Sequence, residues 1–119
     1  MNNITNGIDI VYIPKMKKNL NNKVINKIFT KKEIEYIESR NNNFETICGL
    51  FAAKEAFLKS MKSGLEGYNL QEIEISHNNY APYFIFYGKT KKEVDENNYH
   101  YSLSISHDQD YAIAYVIKY

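Results

Sequence analysis

The chain has 119 residues, 44% of them hydrophobic and 24% charged, and a net charge of +1. That length holds one domain, 1–119, and the composition is ordinary for a globular fold. A near-neutral chain has no overall basic field for nucleic acid, and no apolar run approaches the roughly 20 residues of a membrane span, so neither partner is expected.

In chain order, residues 8–13 form an apolar run around a single Asp9, short and β-branched like a buried strand. Pro14 ends it, having no amide hydrogen for a ladder. Asn21 and Asn22 cap a predicted short helix through Ile28. Thr30 followed three residues later by Glu33 has capping-box spacing and opens a helix through about Ser39. Asn41, Asn42 and Asn43 read as a loop. Residues 44–62 form the strongest predicted helix, ended by Ser63 and Gly64, with a turn over 64–68.

Ile73 and Ile75 alternate with Glu72, Glu74 and Ser76, the period-two pattern of a half-buried strand. Asn78 and Asn79 predict a turn, and residues 83–87 a strand closed by Gly88. Residues 90–96 form a short predicted helix, with Thr90 and Glu93 as a second capping box. Leu103 and Ile105, then residues 112–117, give two final strands in a hairpin across 107–110. The expected fold is a single α+β domain, a mainly antiparallel sheet packed against a long helix.

Cys48 is the single cysteine, so no internal disulfide forms, and its apolar neighbours mark it as a core residue. No charged region followed by an apolar run is visible at the N-terminus, which leads to the expectation of a cytoplasmic protein. Lys15, Lys17, Lys18, Lys23, Lys27, Lys31 and Lys32 crowd the first third. They make either a solvated face or a docking surface for an acidic partner.

The long helix carries the strongest chemical signal. At about 100° per residue, Ile47, Leu50, Phe51, Phe57, Leu58 and Met61 share a face with Lys54 near its middle. Ala52, Ala53 and Ala56 lie roughly opposite, where small side chains permit close approach. Such a helix is mostly buried, yet it carries Lys54, Glu55 and Lys59, and buried charges need partners. Glu55 and Lys59 have the i,i+4 spacing of a simple ion pair. Asp9, inside an apolar strand, needs either a salt bridge or a metal. Two carboxylates on separate elements suit Mg²⁺, which takes one or two carboxylates and fills its shell with water and phosphate. The residues themselves reach a metal–phosphate site and stop there. His107, after Ser104 and Ser106 at a strand end, has no zinc spacing with His77 or His100.

Taken together, these residues resemble the small holo-acyl-carrier-protein synthases, a family of phosphopantetheinyl transferases. Gly7-Ile8-Asp9-Ile10-Val11 resembles the family's opening strand, and Phe29-Thr30 with Glu33 its next element. Phe51-Ala52-Ala53-Lys54-Glu55-Ala56-Phe57-Leu58-Lys59 matches its signature helix. Ile73-Glu74-Ile75, Ser104-Ile105-Ser106-His107 and Tyr111-Ala112 fit the strands that follow, so the likeness spans nearly the whole chain. The resemblance implies the 4′-phosphopantetheinyl transferase fold and transfer of phosphopantetheine from coenzyme A to a serine of acyl carrier protein, in support of fatty acid biosynthesis.

It also implies Mg²⁺ on Asp9 and Glu55, with Glu55 and Lys59 catalytic. Coenzyme A is then expected at Asp9, Lys54, Glu55, Lys59, Ser63, Gly64 and His107. Lys15, Lys23 and Lys27 are expected to dock the acidic carrier, and the assembly to be a homotrimer. The chain departs from the family at Tyr12, where a glutamate is usual, at Lys15 and Leu50, where arginines are usual, and at Tyr80, where a glycine is usual. Two rivals follow: a non-catalytic carrier-binding relative, and another Mg²⁺-phosphate enzyme such as a nucleotide phosphatase.

Overall fold

The computed structural model describes residues 3–62 and 67–119. Strand β1 (Thr5–Tyr12) leads into four helices: α1 (Ile13–Asn19), α2 (Asn22–Ile28), α3 (Lys31–Ser39) and α4 (Phe44–Ser60). A 3₁₀ turn (Leu70–Glu72) precedes the hairpin β2 (Ile73–Asn78) and β3 (Ala81–Phe86). Helix α5 (Gly88–Glu96) and the hairpin β4 (Tyr101–Asp108) and β5 (Tyr111–Lys118) complete the chain. All pairings are antiparallel, but they make two sheets rather than one: β1-β5-β4 and β2-β3.

The helix ends follow local chemistry. Asn21 caps α2 through the Val24 amide, and Asn43 caps α4 through the Thr46 amide. At α3 the capping box is complete: Thr30 Oγ1 accepts from the Glu33 amide, and Glu33 accepts from the Thr30 amide. Two local expectations change. Pro14 does not merely end the strand; it sits in the first turn of α1, where its missing amide hydrogen costs nothing. Thr90 and Glu93 do not form a capping box. Helix α5 starts two residues earlier, and Glu72 accepts from both the Thr90 amide and hydroxyl, so the cap comes from outside the helix.

One face of β1-β5-β4 packs on α4. Gly7, Val11, Leu103, Ala112, Ala114 and Val116 meet Cys48, Ala52, Ala53 and Ala56 in the core. Burial pushes the Cys48 thiol up to about 11, as suits an inert core residue. A Cβ on Gly7 would sit 2.7 Å from the Ser60 amide nitrogen and closer still to the Ala56 carbonyl oxygen. The alanine face of α4 therefore receives the strand backbone at close range, as its small side chains lead one to expect.

The other face of this sheet is apolar and uncovered among the described residues. Ile8 and Ile10 are 53% and 61% exposed, and the outward ends of the same ladder hold Tyr12, Tyr111 and Tyr115. Residues 8 and 10, expected to be buried, are thus open on the isolated chain. Tyr80, where a glycine was expected, takes a left-handed φ of 72° at the β2–β3 turn and is 88% exposed. No helix among the described residues is long and apolar enough to cross a membrane.

Candidate active site

Asp9 lies on the inner face of β1, between Gly7 and Val11. Because Gly7 brings the strand against the α4 backbone, the next inward side chain reaches the polar edge of that helix. There Lys59 Nζ lies 3.0 Å from Asp9 Oδ1 and 2.9 Å from the Ile8 carbonyl oxygen. The simple Glu55–Lys59 pair is not what forms; Lys59 pairs across to the strand. Glu55, one turn earlier, lines an open groove of about 380 Å³ together with Asp9, Tyr12, Lys15, Met16 and Phe51. Burial raises the Glu55 pKa, the Asp9 carboxylate beside it raises it further, and Lys59 opposes both. Two carboxylates facing one groove from separate elements are a donor set that suits a hard divalent cation.

Lys54 is elsewhere. It is fully buried, and its ammonium donates to Glu33 Oε1 at 2.7 Å and to the Leu70 and Ile73 carbonyl oxygens at 2.8 Å each. All three of its donors are occupied inside the core, so the phosphate-binding role expected of it has no geometric basis. Burial lowers its pKa, and Glu33 and Glu74 counter that. Glu33 also accepts from the Ile75 amide, and Glu74 accepts from Thr30 and Tyr87. Lys54 thus ties α3, α4 and β2 together. The sequence marked Glu33 only as a cap; nothing in the spacing reveals that the same carboxylate meets a lysine 21 residues on.

His107 is not brought to the Asp9 cluster within one chain. It lies 3.4 Å from Glu45 at the N-terminal end of α4, about 15 Å along the axis from Glu55 at 1.5 Å per residue. There it lines a second groove of about 280 Å³ with Tyr36, Arg40, Leu50 and His77. The Tyr36 and His77 rings stack 4.2 Å apart, a pairing no sequence period announces. Leu50, at an arginine position of the family, is a buried wall of this groove. Lys15, on α1, lines the Asp9 groove, while Lys23 and Lys27 lie exposed on α2. Ser63 and Gly64 fall outside the described residues. Among the described residues, no group of three or more His, Cys, Asp or Glu side chains is gathered to hold a metal; the candidate donor set is the Asp9–Glu55 pair alone.

Residues 6–116 match the family model described as the 4′-phosphopantetheinyl transferase superfamily. The holo-[acyl-carrier-protein] synthase of Clostridium kluyveri is 44% identical over 115 residues, covering 93% of this chain and 86% of that protein. Among solved structures, the holo-[acyl-carrier-protein] synthase of Helicobacter pylori in complex with coenzyme A is 31% identical. It superposes with a TM-score of 0.84 over 96% of this chain and 99% of that one. The corresponding structure from Neisseria meningitidis is 27% identical, with a TM-score of 0.86 over 97% of each chain.

Proposed function

The chain belongs to the 4′-phosphopantetheinyl transferase superfamily, among relatives that are holo-[acyl-carrier-protein] synthases, and from that premise we infer that it catalyses their reaction. It transfers the 4′-phosphopantetheine group of coenzyme A to a serine of apo-acyl carrier protein, giving holo-acyl carrier protein and adenosine 3′,5′-bisphosphate. The observation that carries this reading is that Asp9 and Glu55 line one open groove while the Lys59 ammonium pairs with Asp9 at 3.0 Å. A carrier-binding relative without activity would have no use for that arrangement.

The chemistry asked of the groove is electrostatic. The carrier serine attacks the β-phosphorus of coenzyme A, and negative charge builds on the bridging oxygen as its bond to that phosphorus breaks. Asp9 and Glu55 would hold Mg²⁺, which neutralises pyrophosphate charge when bound. Lys59, 54% exposed and on a flexible stem, is free to reach a phosphate and stabilise the developing charge. The serine proton would pass to Glu55 or to a water beside it. A cytoplasmic enzyme serving fatty acid biosynthesis is the setting this reaction fits.

Acyl carrier proteins are acidic, and Lys15 at the groove with the exposed Lys23 and Lys27 on α2 would offer them complementary charge. Lys15 keeps the charge of the family's arginine but not its bidentate fork. A homotrimer is supported by the uncovered apolar face of β1-β5-β4. Shared sites between protomers also account for His107 lying in a separate groove: it would meet the nucleotide end of a coenzyme A held by a neighbour's Asp9 and Glu55.

The test is direct. Purified protein incubated with coenzyme A, Mg²⁺ and apo-acyl carrier protein is expected to add one phosphopantetheine to the carrier, seen by intact mass. Chelator, Asp9→Ala and Glu55→Ala are each expected to abolish the gain. Release of inorganic phosphate with no change in carrier mass would instead favour a nucleotide phosphatase.

A further inference from the structure

Lys59 holds two oxygens at once, Asp9 Oδ1 at 3.0 Å and the Ile8 carbonyl at 2.9 Å. An ammonium that bridges a carboxylate and a carbonyl occupies the electrostatic place a hard cation would take. Glu55 faces the same groove and, among the described residues, has no ion-pair partner of its own. Asp9, Glu55 and Lys59 sum to −1 with Lys59 docked; when it departs the two carboxylates carry −2, offset in the groove by Lys15 alone among its lining residues. Lys59 is more than half exposed, so nothing packed around it prevents departure. The Asp9 carboxylate is only 16% exposed, so the lysine leaves at small cost only where a cation takes its place.

We propose that Lys59 couples the binding of divalent cation to the binding of coenzyme A. In the free protein its ammonium neutralises Asp9 and competes with the cation for that carboxylate. The coenzyme A phosphates offer the ammonium a better-charged partner, and its move toward them leaves Asp9 and Glu55 as a dianionic pair. Cation and coenzyme A then each strengthen the other by the same factor, as linkage requires. This rests on the metal reading given above for Asp9 and Glu55, and it assigns to Lys59 a positioning role in addition to its contact with phosphate.

The test reads cation binding rather than turnover. Mn²⁺ is titrated into protein free of coenzyme A, and bound ion is followed by paramagnetic resonance. Lys59→Gln is expected to bind Mn²⁺ roughly tenfold more tightly than the native protein, within the usual range for coupling between sites. Lys59→Arg, which keeps the charge, is expected to retain the weak native affinity. Lys62→Gln serves as the control, because Lys62 reaches the Asn6 carbonyl and neither carboxylate; its affinity is expected to stay native.

An unchanged or weaker affinity in Lys59→Gln overturns the proposal, and so does an equal gain in Lys62→Gln, which would be a general charge effect. Asp9→Asn separates the two readings. If it removes the Mn²⁺ binding seen with coenzyme A present, the metal reading stands whatever Lys59 does. If it changes nothing, the metal reading falls and the coupling falls with it.

Discussion

Lys54 and Lys59 sit five positions apart on one helix and have opposite fates. The sequence shows both as charges on a mostly buried helix, and the i,i+4 rule offers Glu55 to Lys59 as a partner. What the spacing does not contain is the identity of the elements packed on each face. Lys54 faces α3 and β2 and is fully enclosed by Glu33 and two carbonyl oxygens; Lys59 faces the strand edge and the groove. Burial without exit makes the first a structural residue. Removing it strands a buried carboxylate, so Lys54→Met is expected to cost about 3–5 kcal/mol of unfolding free energy in urea titrations. Glu33→Gln added to it removes the orphaned charge, and the double variant is expected to recover part of the loss. An additive pair of losses would mean that Glu33 and Lys54 do not act as a unit.

At the scale of elements, helix ends were the most legible feature, because a cap is chemistry between residues three apart. Asn21 and Thr30 with Glu33 act as their positions suggest, while Asn43, which reads only as loop, turns out to cap α4. The cap of α5 was not legible, since Glu72 reaches it from the far side of the β2–β3 hairpin. Helix α1 is not legible either: Pro14 reads as the stop of a strand, whereas at the first turn of a helix it is a start.

The approach of β1 to α4 lies between these cases. Ala52, Ala53 and Ala56 announced a close approach but not which element makes it. Gly7 is the answer, with no room for a Cβ against the Ala56 carbonyl oxygen and the Ser60 amide. Both obstacles are backbone, so no side-chain substitution on α4 relieves them. Gly7→Ala is therefore expected to push β1 off the helix and cost about 3 kcal/mol. Asp9 is two residues away on the same face, so the displacement reaches the site. A shift near 1 Å is expected to lower carrier modification by about 100-fold even in the folded fraction. Loss of stability with native turnover per folded molecule would show that Asp9 is positioned by something other than this contact.

At the scale of the molecule, the apolar run through residues 8–13 was legible as a strand with both faces apolar, but not what covers the second face. The inner face meets α4; the outer face, with Ile8 against Tyr115, Ile10 against Ile113 and Tyr12 against Tyr111 in register, has no cover among the described residues. Hydrophobic surface left contiguous on a small protein favours association. A heterologous contact that closes into a ring of three covers such a face on every protomer without open-ended growth. The two grooves raise the same question: Glu55 and Glu45, which His107 contacts, lie about 15 Å apart along α4 and line separate grooves.

A charge at the centre of the outer face separates these requirements from folding itself. Tyr115→Asp, on the central strand and outside the groove that Ile10 lines, leaves the α4-facing core untouched, so native circular dichroism is expected. Light scattering is expected to report a trimer for the native protein and a monomer for the variant. Carrier modification is expected to fall with the trimer, by 100-fold or more, although Asp9, Glu55 and Lys59 remain in place on every chain. A variant of native mass would show that the face is not the interface. A monomer with native activity would show that each chain holds a complete site, and that the groove containing His107 serves some other end.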